Sequence, residues 1–471
     1  MDRFAWVSSF SPQFRMHGSK VTVLRTPQEF YSSLKSKARS SRQRVVLCSL
    51  YIGTNEFDKE LVDCISEALA NSASTSKPHV RILLDYSRGT RGSENSCTVL
   101  MPVLKRFPDC VQVSLFHSPL LRGIVKWLLP DRWKEIISVQ HMKLYIFDDT
   151  VLISGANLSQ HYFVNRQDRY ITIEDRELAD FCAELVEIVA QHSFVVKPSD
   201  GSFELNSQCI EHPFEGSLES YQSILRFAME KFIEKWRQKN SDVTETTVFD
   251  TVVYPLIQMG PIGYDKNYYV IKKCLSDLDN SPNVCVDLAS GYFNLTTRYE
   301  DILLKLKRVA CVNVLMAGPQ ANGFWNGAGL SGYIPSLYVH VASEFYRAIE
   351  KATAQQKQQQ QQQQQYINLY EYDRRGWTYH AKGMWWTLAG ETMPSVTFVG
   401  SSNYGYRSLN RDLEADFLLI TQNRQLQHDL AEERDALFNY SKRLDVAMLK
   451  RTDHHVPVWV RWIARYIRSF F

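Results

Sequence analysis

The chain has 471 residues, 44% of them hydrophobic and 12% aromatic, enough for one large or two medium globular units and too apolar for a disordered chain. A net charge of only +3 argues against a dedicated nucleic-acid binder. Nine scattered cysteines without a C-x-x-C pair exclude a dense disulfide framework and an obvious zinc site, and are read as reduced thiols; no run of about 18 uncharged apolar residues reads as a transmembrane helix.

Residues 1–40 are poor in acid and rich in Arg, Lys and Ser, so this segment reads as a targeting sequence or as a solvated basic surface. From 41 to 196 the pattern is strand (Arg44 onward), helix (Glu56 to Ala70) and strand (Val80 to Arg88), then Gln140-HMKLYIFDDTVLISGANLS and the strand after Asp168. Residues 197–215, rich in Ser, Gly and Pro, read as a linker. From 216 to 445 the same order returns: strand from Asn283, helix from Tyr299, strand from Cys311, then YHAKGMWW, VTFVGSSN and the strand around Glu414. The repeat is near 200 residues long, which suits a duplicated α/β domain and not a solenoid. Residues 355–365 are almost all glutamine and read as a disordered insertion, since such a run has nothing to bury.

The tail 456–471 places Trp459, Trp462, Ile463, Tyr466, Ile467 and Phe470 on one helical face and Arg461, Arg465 and Arg468 on the other. The alternatives are a helix docked on the protein's own core and one lying on an anionic membrane surface; arginines with no acid opposite two tryptophans favour the second, with Trp459, Trp462, Ile463, Tyr466, Arg461 and Arg465 in contact, and at about 15 residues it is too short to span a membrane. Pro119 to Trp133 mixes Leu, Ile and Trp with arginine and lysine, and reads as a buried helix or as a membrane-facing lip.

The chemistry concentrates in the repeated words. His141 and Lys143 alternate so as to share one strand face, and Asp148 follows; His380 and Lys382 repeat the pair, but position 387 is Thr387 where an acid would match Asp148. Each pair precedes a small-residue turn ending in asparagine, Ser154-Gly-Ala-Asn157 and Gly400-Ser401-Ser-Asn403. Asn157 to Asp168 and Asn403 to Glu414 are both eleven residues, so one insertion inside the second motif accounts for the register.

H-x-K-x4-D with a downstream G-S-x-N, present twice, resembles the phospholipase D superfamily, and the words VQHMKLYIFDDTVLISGANLS, NRQDRY and VGSSNYGYRSLNRDLEADF resemble its eukaryotic CDP-diacylglycerol-dependent phosphatidyltransferases. The resemblance implies two pseudo-symmetric α/β/α domains with the active site at their interface. It implies His141 as nucleophile, His380 as acid and base, and Lys143 and Lys382 as partners of the phosphoryl oxygens. Asn157 and Asn403 would add donors, and Asp168 and Glu414 would each hold an imidazole in one tautomer. The implied substrates are CDP-diacylglycerol and glycerol 3-phosphate at a mitochondrial inner membrane, matrix side, with a phosphatidyl-histidine intermediate. No metal site is implied for the central step; a divalent cation would act through the substrate diphosphate. Phosphatidylserine synthesis, cardiolipin synthesis, a nuclease or phosphodiesterase using water, and an inactive binding module are the alternatives; two intact His-x-Lys pairs disfavour the last and near-neutral charge the nuclease.

Three further stretches are candidates for phosphate or nucleotide contact. Arg88 and Arg91 flank Gly-Thr after a strand end, where a basic surface loop fits equally well, and Gly53-Thr54 opens a helix whose N-terminus attracts anions, although an ordinary helix cap is the better fit there. Gly318 to Gly332 is a glycine-rich loop with no dinucleotide or Walker pattern.

Overall fold

Arg44–Cys48 is apolar after its first residue, and its last four side chains are buried; such a strand needs cover on both faces and takes a central place in a parallel arrangement. In the computed structural model, which describes residues 2–73, 77–241, 249–280, 283–306, 309–358 and 367–470, it pairs parallel with His79–Asp85, and that strand with Val111–Phe116. From its other edge Leu144–Phe147, Thr150–Ser154 and Tyr170–Glu174 follow antiparallel. The second half repeats this plan. Cys285–Ser290, Cys311–Ala317 and Ile367–Tyr372 run parallel, and Lys382–Thr387, Val396–Gly400 and Leu413–Thr421 extend antiparallel from Cys285–Ser290. Among the described residues each sheet has nine strands, eight of them in equivalent order and the ninth added at opposite edges. The expected fold of two pseudo-symmetric α/β halves is the one observed.

The outer face of the first sheet is covered by Pro27–Ser40, Glu56–Asn71 and Ser96–Arg106, and that of the second by Lys266–Ser276, Thr297–Lys305 and Ile334–Gln358. A third apolar layer joins the halves: Leu144, Ile146 and Ile153 share it with Trp385, Val399 and Phe417, and with the helices Arg176–Gln191, Leu218–Ser241 and Arg424–Phe438. Inside this layer the fully buried Arg169 pairs with Glu433 through two hydrogen bonds of 2.9 and 2.8 Å, lies 3.8 Å over the Trp385 ring, and donates to the Phe398 carbonyl at 2.8 Å. A buried cation is tolerable only with such complete pairing.

Three segments differ from the sequence expectations. Residues 2–40 are folded into the body, beyond a targeting segment or solvated surface: Phe4 and Val7 are buried in the second half, Phe14–Met16 pairs with Thr251–Val253 of the second sheet, and Val21–Leu24 pairs with Tyr170–Ile173 of the first. The alternation of buried and exposed residues in these short strands was masked by their basic surroundings. The 197–215 linker contains Phe203–Leu205, which pairs with Phe194–Val196. Of the glutamine-rich 355–365, the helix takes in residues up to Gln358, and 359–365 lie outside the described residues.

The tail also departs from a freely lying membrane helix. Val458–Ile467 is docked on Ile334–Gln358, with Val460 and Ala464 buried against Leu337 and Val339. It is tied at both ends, by His454 to Glu371 at 2.8 Å and by Arg468 to the Asn294 side chain at 2.9 Å and the Leu295 carbonyl at 2.8 Å. The small Ala464 allows the close approach of the two helices.

Candidate active site

The backbone brings each histidine to the acid of the other half. His141 N–H donates to the Leu413 carbonyl at 2.9 Å, and Leu413 N–H to the Val139 carbonyl at 3.0 Å; the next residue is Glu414. His380 N–H donates to the Gln167 carbonyl at 2.8 Å, continuing the parallel pairing of Thr378 with Arg166 and Tyr379 with Gln167; the next residue is Asp168. The side chains follow: His141 Nδ1 lies 2.9 Å from Glu414 Oε2, and His380 Nδ1 lies 2.6 Å from Asp168 Oδ2.

The lysines sit beneath the imidazoles. Lys143 Nζ donates to the His141 carbonyl at 2.6 Å; Lys382 Nζ donates to the His380 carbonyl at 2.6 Å and lies 3.4 Å from Asp168 Oδ2. Gly155 makes room, since a Cβ there would stand 2.5 Å from Lys382 Nζ. Burial dominates every titration here. It pushes Glu414 up to about 7 and Asp168 up to about 6, and pulls Lys143 down to about 7. Burial, aided by the nearby lysines, holds both histidines well below the usual imidazole value. Both rings are therefore neutral. With Nδ1–H given to a carboxylate, Nε2 carries the lone pair.

Both histidines open into one cavity of ≈ 900 Å³ at the junction of the halves. Nε2 of His380 is 3.3 Å from the Tyr162 hydroxyl, whereas Nε2 of His141 has no hydrogen-bond partner among the described residues. Asn157 and Asn403 line the cavity, and each has a buried Oδ1 without a protein partner. Arg88 and Arg91 line it as well, Arg88 4.1 Å over the Tyr51 ring and Arg91 paired with Glu135. The glycine-rich loop contributes Gly323, Phe324 and Leu330 to the wall.

Four expected residues fall elsewhere. Asp148 is a turn residue at φ 49°, whose carboxylate accepts from the backbone N–H groups of Arg42, Gln43 and Arg44 at 2.9, 2.7 and 3.0 Å. It lies at the end of Leu144–Phe147 remote from the histidine, so Thr387 in the second half takes nothing from the chemistry. Gly53 and Thr54 do not line the cavity: the helix they precede is closed by its own capping pair, Asn55 and Asp58, and a Cβ at Gly53 would stand 2.0 Å from Asp58 Oδ2. Ser401 is buried behind the cavity, where its hydroxyl accepts from Ala415 N–H at 3.1 Å and steadies the strand carrying Glu414.

Sequence reasoning missed Arg166, Arg407, Tyr162 and Tyr292, all in the cavity wall. Each reads as an ordinary residue beside a motif, and no spacing singles it out. His141, Asp412 and Glu414 present oxygen and nitrogen atoms within 4.8 Å of one another, as cation ligands would. However, Asp412 already accepts from Arg407 Nε at 2.8 Å and from Val139 N–H at 2.9 Å, and Glu414 from His141, so the cluster reads as a charge relay.

The mouth is apolar. Trp127 is 84% exposed, with Ile124, Leu128 and Trp133 beside it on the two short helices Gly123–Leu128 and Asp131–Ile137. Leu330 and Tyr333 lie on the glycine-rich side, and Trp459, Trp462 (66% exposed) and Tyr466 on the tail helix. Of the tail residues expected at a membrane, Ile463 is half-buried and lines the cavity, as Trp459 does; Arg461 and Arg465 are exposed.

Comparison with known proteins agrees with this geometry. The family model of the "Cardiolipin synthase, PLD-like domain" matches residues 34–189. The mitochondrial CDP-diacylglycerol–glycerol-3-phosphate 3-phosphatidyltransferase of Gallus gallus is 39% identical over all of this chain and 86% of its own length, and that of Homo sapiens is 38% identical with the same coverage. The phosphatidylserine synthase of Haemophilus influenzae shares the fold, with a TM-score of 0.71 over 100% of this chain and 99% of its own at 18% identity. With its duplicated His-x-Lys halves, its crossed acids and these full-length relatives, the chain belongs to the CDP-diacylglycerol–glycerol-3-phosphate 3-phosphatidyltransferase family, built on the phospholipase D-like fold.

Proposed function

We propose that this enzyme moves a phosphatidyl group from CDP-diacylglycerol to sn-glycerol 3-phosphate in two displacements through a phosphatidyl-histidine, giving phosphatidylglycerophosphate and CMP. The observation that carries the reading is the pair of imidazoles, each with Nδ1 on a carboxylate from the other half and both opening into one cavity. His141 Nε2 attacks the phosphatidyl phosphorus; the N–P bond forms as the P–O bond to CMP breaks, and CMP leaves as a phosphate anion that needs little protonation. His380 then takes the proton from the acceptor hydroxyl, whose oxygen displaces His141. Lys143 and Lys382, buried under the rings, offset charge on the phosphoryl oxygens, and Asn157 and Asn403 offer neutral polar groups. No resident metal enters either step; a divalent cation acts on the substrate diphosphate.

The apolar mouth is the membrane face. A two-chain lipid leaves the bilayer at a cost of about 0.8 kcal/mol per exposed CH₂, so the cavity must meet the lipid at the surface. The relatives named as mitochondrial support a mitochondrial location, within which the proposal takes the matrix side of the inner membrane. The test is to supply CDP-diacylglycerol with glycerol 3-phosphate, serine, phosphatidylglycerol or water alone. CMP and phosphatidylglycerophosphate are expected with the first only; steady turnover with any other acceptor and none with glycerol 3-phosphate overturns the reading.

A further inference from the structure

Four arginines line the cavity, and they are not equivalent. Arg91 is paired with Glu135, and Arg407 with Asp412 at 2.8 Å. Arg88 and Arg166 have no carboxylate within ion-pair distance among the described residues; Arg88 stacks on Tyr51 and Arg166 lies 4.9 Å from the Tyr162 ring centre. Each is linked to the surroundings of a different histidine. Arg88 N–H donates to Asp85, whose carboxylate also accepts from the N–H of Gln140, next to His141. Arg166 shares Tyr162 with His380, the base for the acceptor.

Arg166 is also shaped for a ligand. Its Nε is fixed on Thr378 Oγ1 at 3.1 Å, which leaves the far end of the guanidinium toward the cavity. A Cβ placed on Gly323 of the glycine-rich loop would stand 3.0 Å from Arg166 Nη2 and 3.1 Å from the Tyr292 hydroxyl. One cation, one phenol and a bare stretch of backbone therefore converge on one spot. A guanidinium held by neutral oxygens and lacking a carboxylate suits phosphate oxygens.

We propose that Arg166, with the Tyr292 hydroxyl and the backbone at Gly323, forms the seat for the phosphomonoester of the acceptor. The seat places the dianion on the His380 side, with the acceptor hydroxyl turned to that base. Arg88 is left for the donor diphosphate on the His141 side. This inference rests on the transfer reaction proposed above and adds which residues select a phosphate-bearing acceptor.

The test compares Arg166→Met, Arg166→Lys and Gly323→Ala in the full-length enzyme, with melting temperature as a folding control. KM for glycerol 3-phosphate should rise by about 10- to 100-fold in Arg166→Met, the usual worth of a charge-assisted bond. Arg166→Lys and Gly323→Ala should show smaller rises of the same kind. KM for CDP-diacylglycerol and the single-turnover release of CMP should stay as in the wild type. Transfer to glycerol, which has no phosphate to seat, should be equally slow in wild type and Arg166→Met. An unchanged KM for glycerol 3-phosphate overturns the assignment, as does a rise confined to CDP-diacylglycerol, which would hand Arg166 to the donor diphosphate. Wild-type enzyme that transfers to no phosphate-bearing acceptor would instead sink the reaction itself.

Discussion

His141 and Glu414 belong to opposite halves of the chain, yet the imidazole Nδ1 of one lies 2.9 Å from the carboxylate of the other. The reciprocal pair, His380 and Asp168, closes at 2.6 Å. Each half supplies a base and the acid that orients the other half's base, so catalysis depends on the halves being docked.

His141→Ala should lose CMP release and lipid product together, by about 10³-fold or more, since the proposed covalent bond forms on that imidazole. His380→Ala should also fail to turn over, yet accumulate phosphatidyl-enzyme after an acid quench with labelled donor. An adduct mapped to residue 380 in wild type would reverse the two roles.

Turnover should fall as pH drops through about 7, the value to which burial raises Glu414. Above it the ionised carboxylate accepts Nδ1–H and leaves Nε2 as a lone pair; below it the carboxyl donates to Nδ1, and Nε2 becomes an N–H that cannot attack. Asp168, raised to about 6, should impose the same change on His380 at lower pH. A pH–rate profile of Glu414→Gln that keeps the wild-type acid limb would refute this origin.

Asp148→Ala should destabilise without touching the chemistry. It strips acceptors from the backbone N–H groups of Arg42, Gln43 and Arg44, at a cost of about 1–3 kcal/mol in urea unfolding. The folded variant should turn over at the wild-type rate; a loss of kcat at full folding would return Asp148 to the active site.

Trp127→Ser with Trp462→Ser should weaken binding to anionic vesicles by about tenfold or more, because each ring removes roughly 1.5–3 kcal/mol of burial in lipid. Activity on detergent-dispersed donor should survive. Deleting residues 456–471 should instead cost turnover in detergent too, because that helix walls the cavity with Val460, Ile463 and Ile467. Full detergent activity of the truncated chain would restore the picture of a detachable anchor.

Glu433→Gln should cost about 3–5 kcal/mol by leaving the Arg169 guanidinium under-compensated in the layer between the halves. Equilibrium unfolding measures it, and a loss below about 1 kcal/mol would show that water reaches the site.

The duplication was legible because His-x-Lys, the asparagine turn and the acid recur in fixed order, and order survives where identity does not. That Asp168 and Glu414 would hold imidazoles was also legible; which acid takes which histidine was not, since the crossing arises from parallel pairing between distant segments. Asp148 misled because its spacing matches a motif, while a turn at positive φ decides its contacts. Arg166 escaped because an arginine near a strand is ordinary until its lack of a carboxylate partner is seen. The tail's amphipathic period called for an apolar neighbour; it could not say that the protein takes Val460 and Ala464 and leaves Trp462 and Tyr466 outward.

The opening residues have a temporal consequence. Phe14–Met16 waits for a partner strand beginning at Thr251, while Val21–Leu24, a few residues on, is satisfied by a strand of the first sheet. During synthesis the first sheet can therefore assemble with its leading edge still dangling, and only the arrival of the later strand draws that edge in. Phe14–Met16, made before Val21–Leu24, thus settles after it, a stitch that closes after both pieces of cloth are cut.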